Sequence, residues 1–125
     1  MRVDWDRYNG LVSMTITGKL GRETDPQQKD LSEYVSDLSE ADRKALVFDL
    51  SNVTGIDTYG IGQMIYCQQL ILESGGKSCW VLPKESASYA KLRHLLDRMQ
   101  LSKVFIFCDT IQDGYQKMSA NKGTA

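Results

Sequence analysis

One stretch of the sequence, residues 49–62, concentrates side chains that could take part in chemistry. Thr58 is placed to be the N-cap of a helix, where its hydroxyl would face amide groups that lack partners. Asp57 before it is either a turn-forming residue or a carboxylate of a site. Gly60 and Gly62 are each about 1 kcal/mol worse than alanine in a helix. Two glycines in a first helical turn therefore indicate a close approach of the backbone to the sheet or to a partner.

Residues suited to other chemistry are few elsewhere in the chain. The one histidine, His94, falls on a predicted exposed helix face, and the three cysteines include no CxxC pair. We therefore expect no metal site, and the absence of GxxxxGK[ST] and GxGxxG motifs argues against a bound nucleotide cofactor. Cys79 and Cys108 are predicted to be core residues in strands, whereas Cys67 is expected to be partly exposed on a helix.

The charge balance argues against a nucleic-acid-binding surface that spans the domain. Lys and Arg total 15, Asp and Glu total 16, and the formal net charge is −1, whereas such surfaces usually carry a basic surplus. The length of 125 residues fits one domain. No run approaches the roughly 18 apolar residues of a membrane span, and the charged start at residues 1–7 lacks a signal-peptide core. The sequence thus predicts a cytoplasmic protein with reduced thiols.

The first part of the chain predicts a hairpin, a helix and a buried strand. Residues 3–8 and 11–17 alternate and are joined by Asn9-Gly10, which is typical of a hairpin with a type I′ turn. Asp25-Pro26 favours the start of a first helix, which is expected to end within residues 38–41. The apolar run 45–50 is typical of a central strand that is buried on both faces.

A second helix is predicted to begin at Tyr59 or Gly60 and to end at Gly75-Gly76. Residues 78–82 then predict another buried strand, which ends before a proline. The apolar face of the second helix is expected to consist of Ile61, Met64, Ile65, Gln68 and Leu72.

A third helix is predicted to be capped by Ser88, and a last strand is predicted over 104–108. Thr110 has the spacing of a capping box and opens a short final helix. Residues 119–125 lack large apolar side chains and predict a flexible tail. The apolar stripe of the third helix is expected to consist of Leu92, Leu95, Leu96 and Met99.

This order of elements predicts an α/β fold. Strand–helix alternation from residue 45 onward implies crossover connections and parallel pairing, and the amino-terminal hairpin adds antiparallel pairing. We expect a mixed sheet of about five strands with about four helices, as one domain over residues 1–118. In such sheets ligands and partners dock at the carboxyl ends of the strands, which is where residues 49–62 lie.

The 49–62 segment resembles the STAS domain of bacterial anti-sigma factor antagonists. The family signature is an Asp-Leu-Ser strand end, a short loop and then Asp-[Ser/Thr]-x-Gly-[Ile/Leu]-Gly. This chain reads Asp49-Leu50-Ser51 and then Asp57-Thr58-Tyr59-Gly60-Ile61-Gly62. The resemblance covers most of residues 9–118 and implies a STAS-like fold. Three further matching segments are Thr17-Gly18-Lys19-Leu20, Gly75-Gly76-Lys77 and Met99-Gln100-Leu101.

The resemblance implies a regulatory protein and not an enzyme. In the family, a serine or threonine at the position of Thr58 is phosphorylated by a partner kinase that is also an anti-sigma factor, and a phosphatase resets the protein. The unmodified form binds that partner and frees the sigma factor. Thr58 is then the candidate phosphoacceptor, with Asp57, Gly60 and Gly62 shaping its loop. The expected partner-binding residues are Ser51, Asn52, Asp57, Thr58, Tyr59, Gly60, Ile61 and Gly62.

No nucleic-acid partner is expected from the charge balance, and a monomer or weak dimer is expected. Three features depart from the usual family pattern. Lys19-Leu20-Gly21-Arg22-Glu23 stands where an acidic Glu-Leu-Asp is often found after the second strand, and the acceptor is threonine where serine is commoner. The third is Tyr59, whose aromatic ring is either a packing element or a partner contact.

Two other functions stay open at this point. STAS-like domains also serve as scaffold subunits, in signalling assemblies or in a phospholipid-transport complex that contains an ABC ATPase, and there they need no phosphorylation. An enzyme that uses the carboxylates Asp49 and Asp57 is the third alternative, although the sequence contains no convincing set of base, nucleophile and cofactor for it.

Overall fold

The computed structural model describes residues 1–8, 10–22, 27–101 and 103–123. Its strands are β1 (Arg2–Tyr8), β2 (Leu11–Leu20), β3 (Ala45–Ile56), β4 (Lys77–Val81) and β5 (Phe107–Cys108). Its helices are α1 (Leu31–Ser36), α2 (Thr58–Glu73), α3 (Ala87–Arg98) and α4 (Ile111–Gly123), and a 3-10 turn spans Asp42–Lys44. The strands form one sheet in the order β1-β2-β3-β4-β5.

The pairing of the strands confirms the predicted mixed sheet. β1 and β2 form an antiparallel hairpin in which Tyr8 lies opposite Leu11, and β2 through β5 pair in parallel. Gly10 has a positive φ of 79°, which suits a tight turn, whereas Asn9 lies outside the described residues. The parallel pairs follow from the helical connections, because each crossover returns the chain to the same end of the sheet.

β3 is longer than predicted. It continues from Ala45 to Ile56 instead of ending at residue 50, because β2 runs beside it and pairs Leu20 with Ile56. On its other side β3 pairs with β4 only as far as Asp49, opposite Val81. The second half of β3 therefore pairs with β2 and extends beyond the end of its pairing with β4. Residues 51–52 lie in this half of the strand and are exposed.

Helices cover both faces of the sheet, and each face has its own core. The larger core joins α1, α2 and α3 to one face, where the rings of Phe48 and Trp80 stack with centroids 4.0 Å apart. The smaller core joins α4, through Met118, to side chains on the opposite face such as Val47. Period-2 alternation along β3 explains the division, because neighbouring residues of a strand point to opposite faces. Cys79 and Cys108 are buried in the smaller core, as predicted.

Three predictions about side-chain exposure on the helices are wrong. Cys67 is fully buried in α2, because it faces the sheet within the larger core. Leu72 on the same helix is 62% exposed, and Met99 at the end of α3 is 44% exposed. Leu72 is preceded by the buried Ile71, which takes the core-facing position of this last turn.

Several predicted boundaries also shift. α1 begins at Leu31 and ends at Ser36, before the predicted end, and the predicted start at Asp25-Pro26 lies outside the described residues. α3 is capped by Ser86 instead of Ser88, because the Ser86 side chain accepts the amide of Tyr89 at 3.1 Å. The last strand is only Phe107–Cys108, since β4 offers pairing partners to these two residues alone.

The final helix begins as predicted and continues further. The hydroxyl of Thr110 accepts the amide of Asp113 at 3.1 Å, which is the expected capping bond. α4 then runs to Gly123. The division into a domain over 1–118 and a flexible tail over 119–125 stays a prediction.

Candidate functional site

The end of β2 and the start of α2 are in direct backbone contact. The amide of Asp57 donates to the carbonyl oxygen of Leu20 at 3.3 Å. A β-carbon at Gly60 would overlap that same carbonyl oxygen, and one at Gly21 would lie 2.7 Å from Cγ of Asp57. Glycine is therefore required at position 60 for the two segments to approach this closely, and a β-carbon at position 21 would displace the Asp57 carboxylate.

Asp57 is the N-cap of α2, which corrects the prediction that Thr58 caps it. Oδ1 of Asp57 accepts the amide of Gly60 at 2.8 Å, and its carbonyl oxygen accepts the amide of Ile61 at 3.0 Å. The first bond satisfies one of the amides that a helix start leaves without partners, and the second is the first hydrogen bond within the helix. The Gly60 amide holds the pKa of the Asp57 carboxyl below its usual range, and Lys19, whose Nζ lies 3.6 Å from Oδ2, acts in the same direction.

Thr58 is the first residue of α2 and is exposed. Because Asp57 takes the capping role, the Thr58 hydroxyl is not needed to close the helix. It sits at the positive end of the helix dipole, where added negative charge is favourable. An exposed hydroxyl on a fixed backbone, beside a helix start, is suited to receiving a phosphoryl group and to presenting it to a partner.

Tyr59 connects α2 to α1. Its hydroxyl donates to Oδ2 of Asp30 at 2.8 Å, and this bond raises the pKa of the Tyr59 phenol. The guanidinium of Arg22 lies over the Tyr59 ring, 5.4 Å from its centroid. The side chain is partly buried, and these contacts favour the packing role over the partner contact among the two alternatives. Asp30, at the start of α1, makes no side-chain cap bond to its own helix.

The two glycines of the motif differ in their surroundings. Gly60 is buried against Leu20, as a close approach to the sheet requires. Gly62 is exposed, and no described atom lies within 4 Å of where its β-carbon would be, apart from its own helix and chain neighbours. Gly62 therefore has no packing reason inside the described part of the chain, and it leaves open space on the same exposed side of α2 as Thr58.

The remaining motif residues divide between interior and surface. Ile61 is fully buried and anchors the helix start to the core. Ser51 and Asn52 are exposed, although the amide and hydroxyl of Ser51 both donate to Oδ1 of Asp49, at 2.9 and 2.6 Å. Asp49 is nearly buried and accepts these bonds as a turn-forming carboxylate does. Asp49 and Asp57 thus each have structural partners of their own.

Sequence reasoning missed three groups that border the site. Lys19 and Arg22 come to the start of α2 from the end of β2, and Asp30 comes from α1. In addition, Oε1 of Gln63 accepts the amide and hydroxyl of Ser32, which joins α1 to α2 a second time. The two cations were visible only as a departure from the family pattern, and the contacts of α1 have no local signal.

Other chemistry finds little support in the described residues. They contain no group of three or more His, Cys, Asp or Glu side chains that could hold a metal ion. His94 is exposed on α3, as predicted. No helix of the described ranges has both the length and the apolar character needed to cross a membrane.

Comparison with known proteins agrees with this fold. The family model described as STAS domain matches residues 8–114. The structure is similar to the crystal structure of an anti-sigma factor antagonist from Mycobacterium paratuberculosis, with a TM-score of 0.75 and 19% identity over 94% of this chain and 93% of that one.

Two further structures are similar. A Thermotoga maritima crystal structure, provisionally assigned as an anti-sigma factor antagonist, gives a TM-score of 0.71 and 16% identity over 94% of both chains. The anti-sigma factor antagonist SpoIIAA in its unphosphorylated form gives 0.60 and 13%, over 93% of this chain and 96% of that one. Identities this low show a shared fold alone. No curated protein sequence matches the chain significantly.

Proposed function

The chain belongs to the STAS domain family, and from this premise we propose that it is an anti-sigma factor antagonist switched by phosphorylation of Thr58. In this proposal the unmodified protein binds, in the cytoplasm, an anti-sigma factor that is also a serine/threonine kinase. The phosphorylated form releases this partner. A phosphatase then restores the hydroxyl, and the chain itself acts as a binding module without catalysis.

The observation that carries the proposal is the exposed Thr58 hydroxyl at a fixed helix start. Asp57 caps α2 and Gly60 allows the backbone to lie against Leu20, so the Thr58 side chain is not needed to hold the start of the helix. A kinase needs such a reachable hydroxyl on a defined backbone. The neighbouring open space at Gly62 would allow a partner to approach the backbone of α2 closely.

The chemistry of the cycle balances without any cofactor in this chain. Oγ1 of Thr58 forms a bond to the γ-phosphorus of ATP, and the bond from that phosphorus to the bridging oxygen breaks, so that ADP leaves. The hydroxyl proton is transferred to the kinase or to solvent. The phosphatase adds water to the phosphorus, which returns the threonine hydroxyl and releases inorganic phosphate.

We expect phosphorylation to release the partner through a change at the interface and not through a change of fold. The phosphate adds about −1.5 to −2 charge, and the helix dipole favours it by roughly 0.3–2 kcal/mol. The fold is therefore retained. A decisive swing between bound and released states takes about 5.5 kcal/mol. Burying an unmatched charge costs several kcal/mol per ion, so exclusion of the phosphate from the docking surface is the source of that difference.

The test is to incubate the protein with ATP and candidate kinases from the same genome and to locate any phosphate by mass spectrometry. Thr58 is the expected site, and Thr58→Ala should abolish labelling. Thr54→Ala, which removes an exposed threonine near the end of β3, is the matched control and should be labelled normally. Continued labelling of Thr58→Ala would remove Thr58 as the acceptor.

Binding supplies the second half of the test. The labelling kinase should bind the unmodified protein, and binding should weaken by on the order of ten-thousandfold for the phosphorylated protein or for Thr58→Glu. Equal affinity of the modified and unmodified forms would contradict the switch. Absence of labelling by every kinase tested would instead favour the scaffold alternative.

A further inference from the structure

Two cations converge on the backbone that flanks Thr58. Lys19 and Arg22 lie at and just after the end of β2, in the segment whose Leu20 and Gly21 touch Asp57 and Gly60. These contacts hold both basic residues beside the start of α2.

Lys19 reaches the residue before Thr58. Its Nζ lies 3.6 Å from Oδ2 of Asp57, and its side chain is 64% exposed. An exposed pair at this distance is weak and easily exchanged. The lysine can therefore turn to a stronger anion beside Asp57 without leaving a buried charge unpaired.

Arg22 reaches the residue after Thr58. Its guanidinium lies over the ring of Tyr59, 5.4 Å from the centroid. Its backbone amide donates to the Asp57 carboxylate, which also holds the segment in place. The guanidinium group can bind a phosphate in a bidentate manner.

We infer that Lys19 and Arg22 form an intramolecular clamp for a phosphate on Thr58. The inference rests on the proposed function, since it names how the modified state of that same site is held. The phosphate accepts from the Lys19 ammonium and the Arg22 guanidinium, with the amides of the helix start as a third contributor. In this state the two cations face the phosphate and are withdrawn from any acidic partner surface.

The negative groups near the site do not cancel the clamp. Asp57 directs Oδ1 to the amide of Gly60, and its other oxygen faces Lys19. Asp30, at the start of α1, accepts a hydrogen bond from the Tyr59 hydroxyl. The negative charge of Glu33 also raises the pKa of that hydroxyl. The Asp30 and Asp57 carboxylates accept hydrogen bonds from neutral donors, and Asp57 also forms the weak, exposed pair with Lys19, so both cations can turn to a new anion.

The experiment is a phosphorus NMR titration of the protein with phosphothreonine at position 58, introduced during synthesis so that no kinase is needed. The second pKa of free phosphothreonine is about 6. Nearby cations favour the dianion, so the clamp is expected to lower that pKa by on the order of one unit. The double variant Lys19→Gln/Arg22→Gln should return it most of the way to the value of a phosphothreonine peptide.

A matched control separates the clamp from a general effect of charge. Arg98→Gln/Lys103→Gln removes one arginine and one lysine at the end of α3 and before the edge strand β5, whereas Lys19 and Arg22 lie at and just after the end of β2. Its phosphate should titrate as in the parent protein. Identical titration of the parent and the Lys19/Arg22 variant overturns the clamp. Amide spectra of each variant verify that the fold is kept.

The outcomes for the clamp and for the proposed function are distinguishable. A lowered phosphate pKa, in a phosphoprotein that still binds its partner as tightly as the unmodified chain, keeps the clamp and removes the switch. An unshifted pKa in a phosphoprotein that has lost its partner keeps the switch and removes the clamp.

Discussion

The carbonyl oxygen of Leu20 occupies the space where the β-carbon of any residue other than glycine at position 60 would lie. We predict that Gly60→Ala destabilises the protein by about 1–3 kcal/mol, because the overlap is with backbone and cannot be relieved by a side-chain rotation. Urea unfolding measures the change. An unaltered midpoint would mean that the start of α2 can move away from β2 at no cost.

Gly62→Ala is predicted to have opposite effects on stability and on binding. The site is open and helical, so alanine should stabilise the protein by about 0.5–1 kcal/mol. The added methyl group lies on the exposed side of α2, and binding of the proposed partner kinase should weaken. Unfolding and affinity measurements on the same preparation test both, and a variant that gains stability without losing affinity would remove Gly62 from the docking surface.

The contrast between these glycines shows how far sequence reasoning reached. The order of strands and helices along the chain, the hairpin and the position of the 49–62 segment followed from local patterns, whereas the order of the strands within the sheet was not predicted. The identity of the cap did not, because aspartate and threonine are both good N-caps. The choice of Asp57 depends on its amide reaching Leu20, a residue far away in sequence. Contacts of this kind leave no trace in local propensity.

The surroundings of Thr58 were hidden for the same reason. Arg22 and Asp30 contact Tyr59 from two different segments, and the spacing of these residues in the sequence does not indicate these contacts. The exposure of Cys67 was wrongly predicted because one face of α2 is wider than its periodic apolar residues suggested. The helix packs against β3 and β4 together, which buries an additional row of positions.

The three native cysteines are predicted to react slowly with a thiol reagent, and a cysteine introduced at position 58 is predicted to react rapidly. All three cysteines are buried, and burial raises the pKa of the Cys67 thiol. They should react with a disulfide reagent only as the protein unfolds. A Thr58→Cys variant adds an exposed thiol at a helix start, where the dipole favours the thiolate. It should therefore label rapidly in the native protein, and a slow reaction there would contradict the exposure of position 58.

Tyr59→Phe is predicted to loosen α1. Loss of the bond from the Tyr59 hydroxyl to Asp30 should cost about 0.5–1.5 kcal/mol, because it leaves the carboxylate without that donor. Amide exchange in α1 should accelerate. Tyr66→Phe is the matched control: this tyrosine lies on the same helix and is 54% exposed. Loss of the Tyr66 hydroxyl should change the free energy of unfolding by less than about 0.5 kcal/mol. Equal effects of the two variants would show that the hydroxyl of Tyr59 does not hold α1.

Asp57 gives a prediction about acid stability. The folded protein holds the pKa of this carboxyl below its ordinary value of 3.8, chiefly through the Gly60 amide. A carboxyl with a lowered pKa in the folded state stabilises the fold above its unfolded pKa. This contribution is lost as the pH falls through the folded pKa. Stability conferred by the charged form is therefore complete at neutral pH and declines below about pH 4.

Two substitutions separate the cap from the charge. Asp57→Ala removes both and should cost about 0.5–2 kcal/mol at neutral pH, whereas Asp57→Asn keeps a capping side chain and should cost less. The gap in urea midpoint between the parent and Asp57→Asn should narrow as the pH falls from 7 towards about 3, since the parent then loses its charge as well. Asp97→Asn, on the exposed side of α3, should change stability by less than about 0.5 kcal/mol at either pH. A gap that stays constant with pH would show that the Asp57 charge does not stabilise the start of α2, and that the cap acts through its hydrogen bond alone.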